Sequence, residues 1–261
     1  MENALKLRDK LGRGVICVGA AVTFSDPTVT EALSSLLDFV WIDSEHGPLS
    51  VEAIQGHVMA TKGSDAAPLV RVPWNDAVLI KRVLDVGAAG VIAPMICTED
   101  DTRRLVAACK YPPDGIRGFG PRRPSNYGQS VDPSFCQRAN AAIMPIPQIE
   151  HVDGVNNIDR ILSVPGVAAI LVGPFDLAGS MGHPADPGHP EVLQAIDSVI
   201  ATARKKNIYV GMGVTDRPES AKPLIEKGVS WMCIPPDFML LLNTAKHFAV
   251  NIRTYKGGNP N

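Results

Sequence analysis

Eight short, β-branched apolar runs recur along the chain, each followed by a longer stretch of helical periodicity, and this alternation leaves few folds open. The runs are Val15–Ala21, Phe39–Ile42, Leu69–Val72, Gly90–Ala93, Ala142–Ile149, Val167–Val172, Ile208–Gly211 and Trp231–Ile234. They are nearly uninterrupted, as parallel strands buried on both faces are. The helical stretches begin with one at Asp26-Pro27, a cap and a first-turn proline. Others cover Val51–Thr61, Asp76–Asp85, Glu99–Cys109, Gly154–Leu162, Pro190–Lys206, Glu219–Lys227 and Asp237–Arg253. Gly87 and Gly228 stand where helices should stop. The pattern predicts an α/β fold, a single (β/α)8 TIM barrel over residues 1–256, with an open doubly wound sheet as the structural alternative. The length of 261 residues suits one such barrel. The tail Gly257–Asn261 is expected to be disordered.

Two segments break the rhythm. Tyr111–Gln129, rich in Pro, Gly and Arg, reads as a long loop over one barrel end, and Ser180–Pro190 as a second loop with Gly, Pro and His. Long irregular segments in compact domains tend to be functional. The net charge of −2, without a basic stretch, excludes the electrostatic footprint of a nucleic-acid binder. The five cysteines are odd in number and none has CxxC spacing, which argues against a disulfide framework or a zinc site and fits a reducing compartment. Met1–Gly14 has no apolar signal core, and no run is long enough for a membrane span, so the expected location is the cytoplasm.

Barrel enzymes carry their reactive groups at the C-terminal ends of strands. Here the second strand ends in Asp43-Ser44-Glu45-His46-Gly47, the third at Arg71, the fifth in Gln148-Ile149-Glu150 and the sixth in Gly173-Pro174-Phe175-Asp176. Glu150 and Asp176, on adjacent strand ends and without Cys, suit a hard divalent cation such as Mg2+ or Mn2+. The competing reading is that Glu150 merely caps a helix. Gln148, two residues earlier, faces the same side and could bond the ligand shell. Arg71 is a candidate electrophile, able to grip a carboxylate or enolate oxygen, or else a structural ion-pair partner. His46 is a candidate general base, with Asp43 expected to orient its ring, though a lone histidine is often structural. His183 and His189 could shape the pocket. They are not expected to bind metal, because the gap between them lies among prolines rather than on a helix face. No lysine ends a strand, which argues against a Schiff base, and the GxSxG and GxxxxGK[ST] motifs are absent.

Taken together, Phe39–Gly47, Leu69–Trp74, Val91–Met95, Tyr111–Gly118, Pro147–Glu150 and Gly173–Leu177 with Met181-Gly182 resemble the HpcH/HpaI aldolase family of metal-dependent class II pyruvate aldolases. The resemblance implies a barrel of the phosphoenolpyruvate/pyruvate type and a carbon–carbon lyase. It implies that Glu150 and Asp176 hold Mg2+, Mn2+ or Co2+ and that pyruvate chelates the cation. Arg71 would stabilise the enolate oxygen, and His46 with Asp43 would move the proton of the aldol hydroxyl. Asp85 matches an acid that approaches from a neighbouring subunit. Gly173 and Phe175 would place backbone groups near the pyruvate carboxylate, and the helix after Asp237 would exchange between subunits of a homo-oligomer, a trimer or hexamer. Phe175 stands where many members carry a small residue, and Ile234-Pro235-Pro236-Asp237 departs from a Gly/Ser-rich turn. Arg122 and Arg123 fit either recognition of an acidic acceptor or solvated loop charges.

The leading reaction is reversible cleavage of a 4-hydroxy-2-oxo acid to pyruvate and an aldehyde. The alternative makes the same enolate by decarboxylating oxaloacetate, as a macrophomate synthase-like relative does. A barrel that binds a keto acid without turning it over is the non-enzymatic reading.

Overall fold

The structure, a computed structural model, describes residues 2–214 and 217–255, so the tail at Gly257–Asn261 lies outside the described residues. Eight strands close a parallel barrel in chain order: β1 (Cys17–Val22), β2 (Phe39–Asp43), β3 (Ala67–Arg71), β4 (Gly90–Ala93), β5 (Met144–Ile149), β6 (Ala169–Val172), β7 (Tyr209–Gly213) and β8 (Val229–Ile234). The open sheet is thereby set aside. The helices are α1 (Glu2–Gly12), α2 (Thr28–Ser34), α3 (Val51–Ala60), α4 (Ala77–Asp85), α5 (Glu99–Cys109), α6 (Phe135–Ala142), α7 (Val152–Asn156), α8 (Ile158–Ile161), α9 (Pro174–Ser180), α10 (Pro190–Lys205), α11 (Ala221–Lys227) and α12 (Asp237–Thr254).

Alternate strand residues serve two cores. Phe39, Leu69, Ile92, Ile146, Leu171 and Trp231 fill the barrel interior. Val40, Ile42, Val70, Val91, Ile149, Ile170 and Val172 pack outward against the helices. Inside, the rings of Phe39 and Trp231 meet edge to face at 5.4 Å. That packing needs Gly211, because a Cβ there would stand 2.1 Å from the indole.

The sequence reading missed three helices, α1, α6 and α9, and merged two others. In α1 only Ala4, Leu7 and Leu11 are buried, a stripe too thin to stand out among charges. They join the interior core, and Asn3 Nδ2 donates to the Ala66 carbonyl at 2.7 Å, which holds α1 across the N-terminal end of the barrel. Ala142, expected to open the fifth strand, instead ends α6. The helix expected over Gly154–Leu162 is broken at Asn157 into α7 and α8, and the Asn157 side chain donates to the Cys97 carbonyl at 3.0 Å.

The seam between β5 and β6 is thin. Met144 N–H donates to the Ala89 carbonyl of the β4 side, while the Ile149 carbonyl accepts from Gly173 N–H on the β6 side. Odd-numbered residues of β5 therefore face β6, and two of them, Pro145 and Pro147, have no N–H to give. Pairing there shrinks to Gln148 with Leu171 and Ile149 with Val172.

Chain direction sorts the two irregular segments to opposite rims. Ser180–Pro190 joins α9 to α10 and lies at the C-terminal rim. Tyr111–Gln129 joins α5 to α6 and lies at the N-terminal rim, anchored by Tyr111, Phe119 and Phe135, whose ring centroids are 5.6 to 6.3 Å apart. On α12 only Asp237 is buried, and Leu241, Leu242, Phe248 and Ile252 are exposed. Among the described residues no helix is long and apolar enough to cross a membrane.

Candidate active site

Register brings the first pair together: Asp43, last in β2, lies directly opposite Arg71, last in β3. Both side chains are buried. Arg71 donates from Nε to Asp43 Oδ1 at 2.9 Å and from Nη2 to Oδ2 at 2.6 Å, and its guanidinium lies 4.6 Å over the Trp41 ring. Burial works against the Arg71 charge, but Asp43, with Glu45 and Glu150 nearby, more than offsets this and raises its pKa. The fork geometry fixes the plane of the cation.

Asp43 does not orient the His46 ring, contrary to the expectation from sequence. Its two oxygens are taken by Arg71, and Oδ1 also accepts the backbone N–H of Glu45 at 3.1 Å and of His46 at 3.4 Å. The imidazole of His46 stands out from the rim with 64% of its side chain exposed, and its nearest acid is Glu45, 4.0 Å from Nε2. Glu45 was not singled out in the sequence. Its Oε2 lies 3.1 Å from Arg71 Nε, and burial raises its pKa against the pull of Arg71. The signal was present in the strand period, since Asp43 and Glu45 are two residues apart and face one side.

Glu150 follows β5 and is buried. Met95 N–H donates to its Oε1 at 2.7 Å, and Gln148 Nε2 donates to its Oε2. Burial pushes Glu150 up to about 7 despite these two donors, and Glu45 and Asp176 raise it further. Met95 makes its contact from a left-handed backbone, φ 54°. A contribution carried by the main chain is invisible to a reading of side-chain types. The reading of Glu150 as a helix cap does not hold: His151 is the residue that caps α7, accepting from Asp153 N–H at 3.1 Å.

Asp176 sits in the first turn of α9, exposed, and raises both Glu45 and Glu150. Gly173 differs from its expected role. Its N–H is spent on the Ile149 carbonyl and its carbonyl on Leu177 N–H, so neither is free for a substrate. What it contributes is room, because a Cβ there would lie 2.6 Å from Glu150 Oε2. The exposed Phe175 follows Pro174 at the start of α9, where first-turn N–H groups have no helical acceptor.

Other expected residues lie elsewhere. Asp85 ends α4 at the opposite rim, where Arg117 Nη2 donates to it at 3.1 Å. Arg122 and Arg123 lie at that same rim, so within one chain they do not face this site.

The residues present suit a hard cation. Glu45, Glu150 and Asp176 repel one another, Gln148 Oε1 is buried without a hydrogen-bond partner, and Gly173 leaves the space beside Glu150 open. Next to Asp43, His46 and Arg71 opens a cavity of about 790 Å3, walled on its far side by Phe24, Val214, Ile234 and Pro235. Cys233 also lines it, but burial pushes that thiol up to about 12, so it is no nucleophile at neutral pH.

The HpcH/HpaI aldolase/citrate lyase family model matches residues 22–243. The 5-keto-4-deoxy-D-glucarate aldolase of Salmonella arizonae (strain ATCC BAA-731 / CDC346-86 / RSK2980) is 36% identical over 242 residues, 91% of this chain and 93% of that one. An HpcH/HpaI aldolase/citrate lyase family protein from Burkholderia cenocepacia J2315 superposes with a TM-score of 0.90 at 31% identity, over 96% of this chain and 99% of that one. Macrophomate synthase superposes with a TM-score of 0.85 at 26% identity, over 98% and 91% of the two chains. The barrel, the clustered rim residues and these likenesses agree: the chain belongs to the HpcH/HpaI aldolase/citrate lyase family and is a carbon–carbon lyase of the aldolase type.

Proposed function

We propose that the enzyme reversibly cleaves a 4-hydroxy-2-oxo acid to pyruvate and an aldehyde, with Glu150 and Asp176 as ligands of a divalent cation, Mg2+, Mn2+ or Co2+. The observation that carries this reading is a fixed guanidinium facing a group of mutually repelling carboxylates at one barrel rim. Breaking the bond beside a ketone sends an electron pair onto the keto oxygen, and that charge must be met as it forms. The cation, when bound, supplies Lewis-acid charge at that oxygen. Arg71, locked in plane by Asp43 and unable to lose its proton, supplies a second, permanent charge. Gln148 holds Glu150 in place, and the first-turn N–H of Phe175 is available to the carboxylate of the keto acid.

His46 takes the hydroxyl proton of the aldol as the carbon–carbon bond breaks and returns it in the reverse direction. Its exposure suits exchange with water, and Glu45 rather than Asp43 is its acidic neighbour. The cavity beside it receives the aldehyde fragment. Oxaloacetate decarboxylation is not favoured, because the relatives at 36% identity are aldolases. The apolar side chains left exposed on α12, and the distance of Asp85 from its own chain's site, support a homo-oligomer in which Asp85 reaches a neighbour's rim. The unpaired cysteines support a reducing cytoplasm.

The deciding experiment is exchange of the pyruvate methyl protons in D2O, followed by NMR, since it reads enolate formation without knowledge of the aldehyde. Exchange should require added Mg2+, Mn2+ or Co2+, stop in excess EDTA and vanish in Glu150→Ala. Full exchange in EDTA would exclude the cation, and no exchange with any of the three ions would exclude pyruvate.

A further inference from the structure

Beyond the catalytic rim pair, one cluster of three metal-ligating side chains stands out among the described residues: His183, His189 and Glu191. Read along the chain, the two histidines are separated by prolines and share no helix face. The fold joins them by turning the segment between α9 and α10 back on itself. His183 N–H donates to the Ala178 carbonyl at 2.8 Å, Asp186 N–H to the His183 carbonyl at 3.1 Å and His189 N–H to the Asp186 carbonyl at 3.2 Å. Gly182 and Ala185 take left-handed backbone at φ 86° and 63° to make the turn.

The result is a pair of imidazoles stacked at 3.5 Å between centroids and 14° between planes. His183 Nε2 lies 2.8 Å from Glu191 Oε2. His189 Nδ1 accepts the Glu191 N–H at 3.3 Å, and its Nε2 has no protein partner. One donor atom from each of the three residues lies within 4.8 Å of the others.

We propose that His183, His189 and Glu191 form a second cation site, for a borderline transition ion such as Zn2+, Co2+ or Ni2+ rather than Mg2+, clipping the end of α9 to the start of α10. The donor chemistry separates it from the rim pair. Two imidazole nitrogens and one carboxylate select borderline ions, whereas Glu150 and Asp176 offer oxygen alone.

The three donors can converge on one ion only after a local rearrangement. Donors 2.0–2.2 Å from a tetrahedral ion stand about 3.3–3.6 Å apart, so the His183–Glu191 pair at 2.8 Å must open and the wider pairs, up to 4.8 Å, must close by as much as about 1.5 Å. The stacked rings hold their lone pairs nearly parallel, so one ring must also turn to converge on the ion. His189 is the ring free to do so, because its only bond is the long one to the Glu191 amide. The positive end of the α10 dipole works against a cation, and the Glu191 carboxylate in its first turn offsets it. Occupancy would matter to the rim, since the clipped helix α9 carries Asp176.

The test uses the tag-free full chain carrying Glu150→Ala and Asp176→Ala, which disables the rim pair. Co2+ binding is followed by visible absorption and equilibrium dialysis, with Mg2+ in parallel. One Co2+ per chain is expected, displaced by Zn2+, with no binding of Mg2+. Adding His183→Ala and His189→Ala should weaken Co2+ binding by at least about tenfold and remove the ligand-field bands. No Co2+ binding in the starting variant, equal Mg2+ binding, or affinity undiminished by loss of the histidines would each overturn the proposal. Should the starting variant not fold by circular dichroism, the count in an otherwise unaltered chain decides. His183→Ala must then bind one Co2+ fewer than its parent, and an unchanged count overturns the proposal. Neither readout depends on aldolase turnover, so its failure stays distinct from failure of the reaction assigned to the rim.

Discussion

Glu150 carries a proton-linked cost that its neighbours do not share equally. A carboxyl raised from its ordinary 4.5 to about 7 holds its proton more tightly in the folded chain than in the unfolded one. Folding therefore loses stability as pH climbs through that interval, with the full penalty reached above about pH 7. His57, lowered by burial, has the opposite sign, so the effect must be read as a difference between variants. In EDTA, the melting temperature should fall more steeply between pH 5 and 8 for the natural chain than for Glu150→Gln, and parallel curves would contradict the assignment. Divalent cations should bind with proton release in the same interval, measurable by calorimetry in buffers of different ionisation enthalpy. Gln148→Ala should weaken cation affinity by roughly 10–100-fold by calorimetry. Arg71→Ala should leave cation affinity largely intact while slowing turnover by about 10²–10³-fold. The residues behind these predictions were legible as strand-end acids and bases, because strand ends of a barrel converge on one rim. Their pairing was not legible. Sequence assigns Asp43 to the histidine three residues away, while the parallel register assigns it to an arginine on the next strand.

At the scale of elements, the strands were legible to within two residues at each end, because burial on both faces leaves an apolar run that no other local structure of that length explains. Helices were harder where tertiary contacts decide. α1 buries three side chains, and α7 and α8 are separated by the Asn157 bond to Cys97, which no local pattern announces. The close approach at Gly211 gives an element-level prediction. Gly211→Ala should destabilise the chain by about 1–3 kcal/mol in urea denaturation, through displacement of the Trp231 ring it would strike. A loss near zero would mean that the interior packing is looser than the edge-to-face contact implies. The proline-bearing β5 is a different case: its apolar run identifies it as a strand, while the cost of the two missing donors appears only once β6 is known to be the neighbour.

For the whole molecule, the arrangement of the two rims matters most. The candidate site residues stand at one end, and Asp85 with Arg117 and the long Tyr111–Gln129 segment stand at the other. If Asp85 serves a neighbour, Glu150→Ala and Asp85→Ala chains, each inactive alone, should recover partial activity when refolded together, and no recovery would place Asp85 outside catalysis. The same end of the molecule has a further consequence. Among the described residues, interior side chains fill the barrel and α1 lies across its base as a floor. Both fragments must share one entrance. On the proposed reaction, the keto acid would bind against the buried Glu150, and the aldehyde would occupy the cavity beside His46 and Arg71. Departure then has a fixed queue, aldehyde before pyruvate. In cleavage kinetics pyruvate should compete with the substrate for the emptied enzyme, while the aldehyde should not.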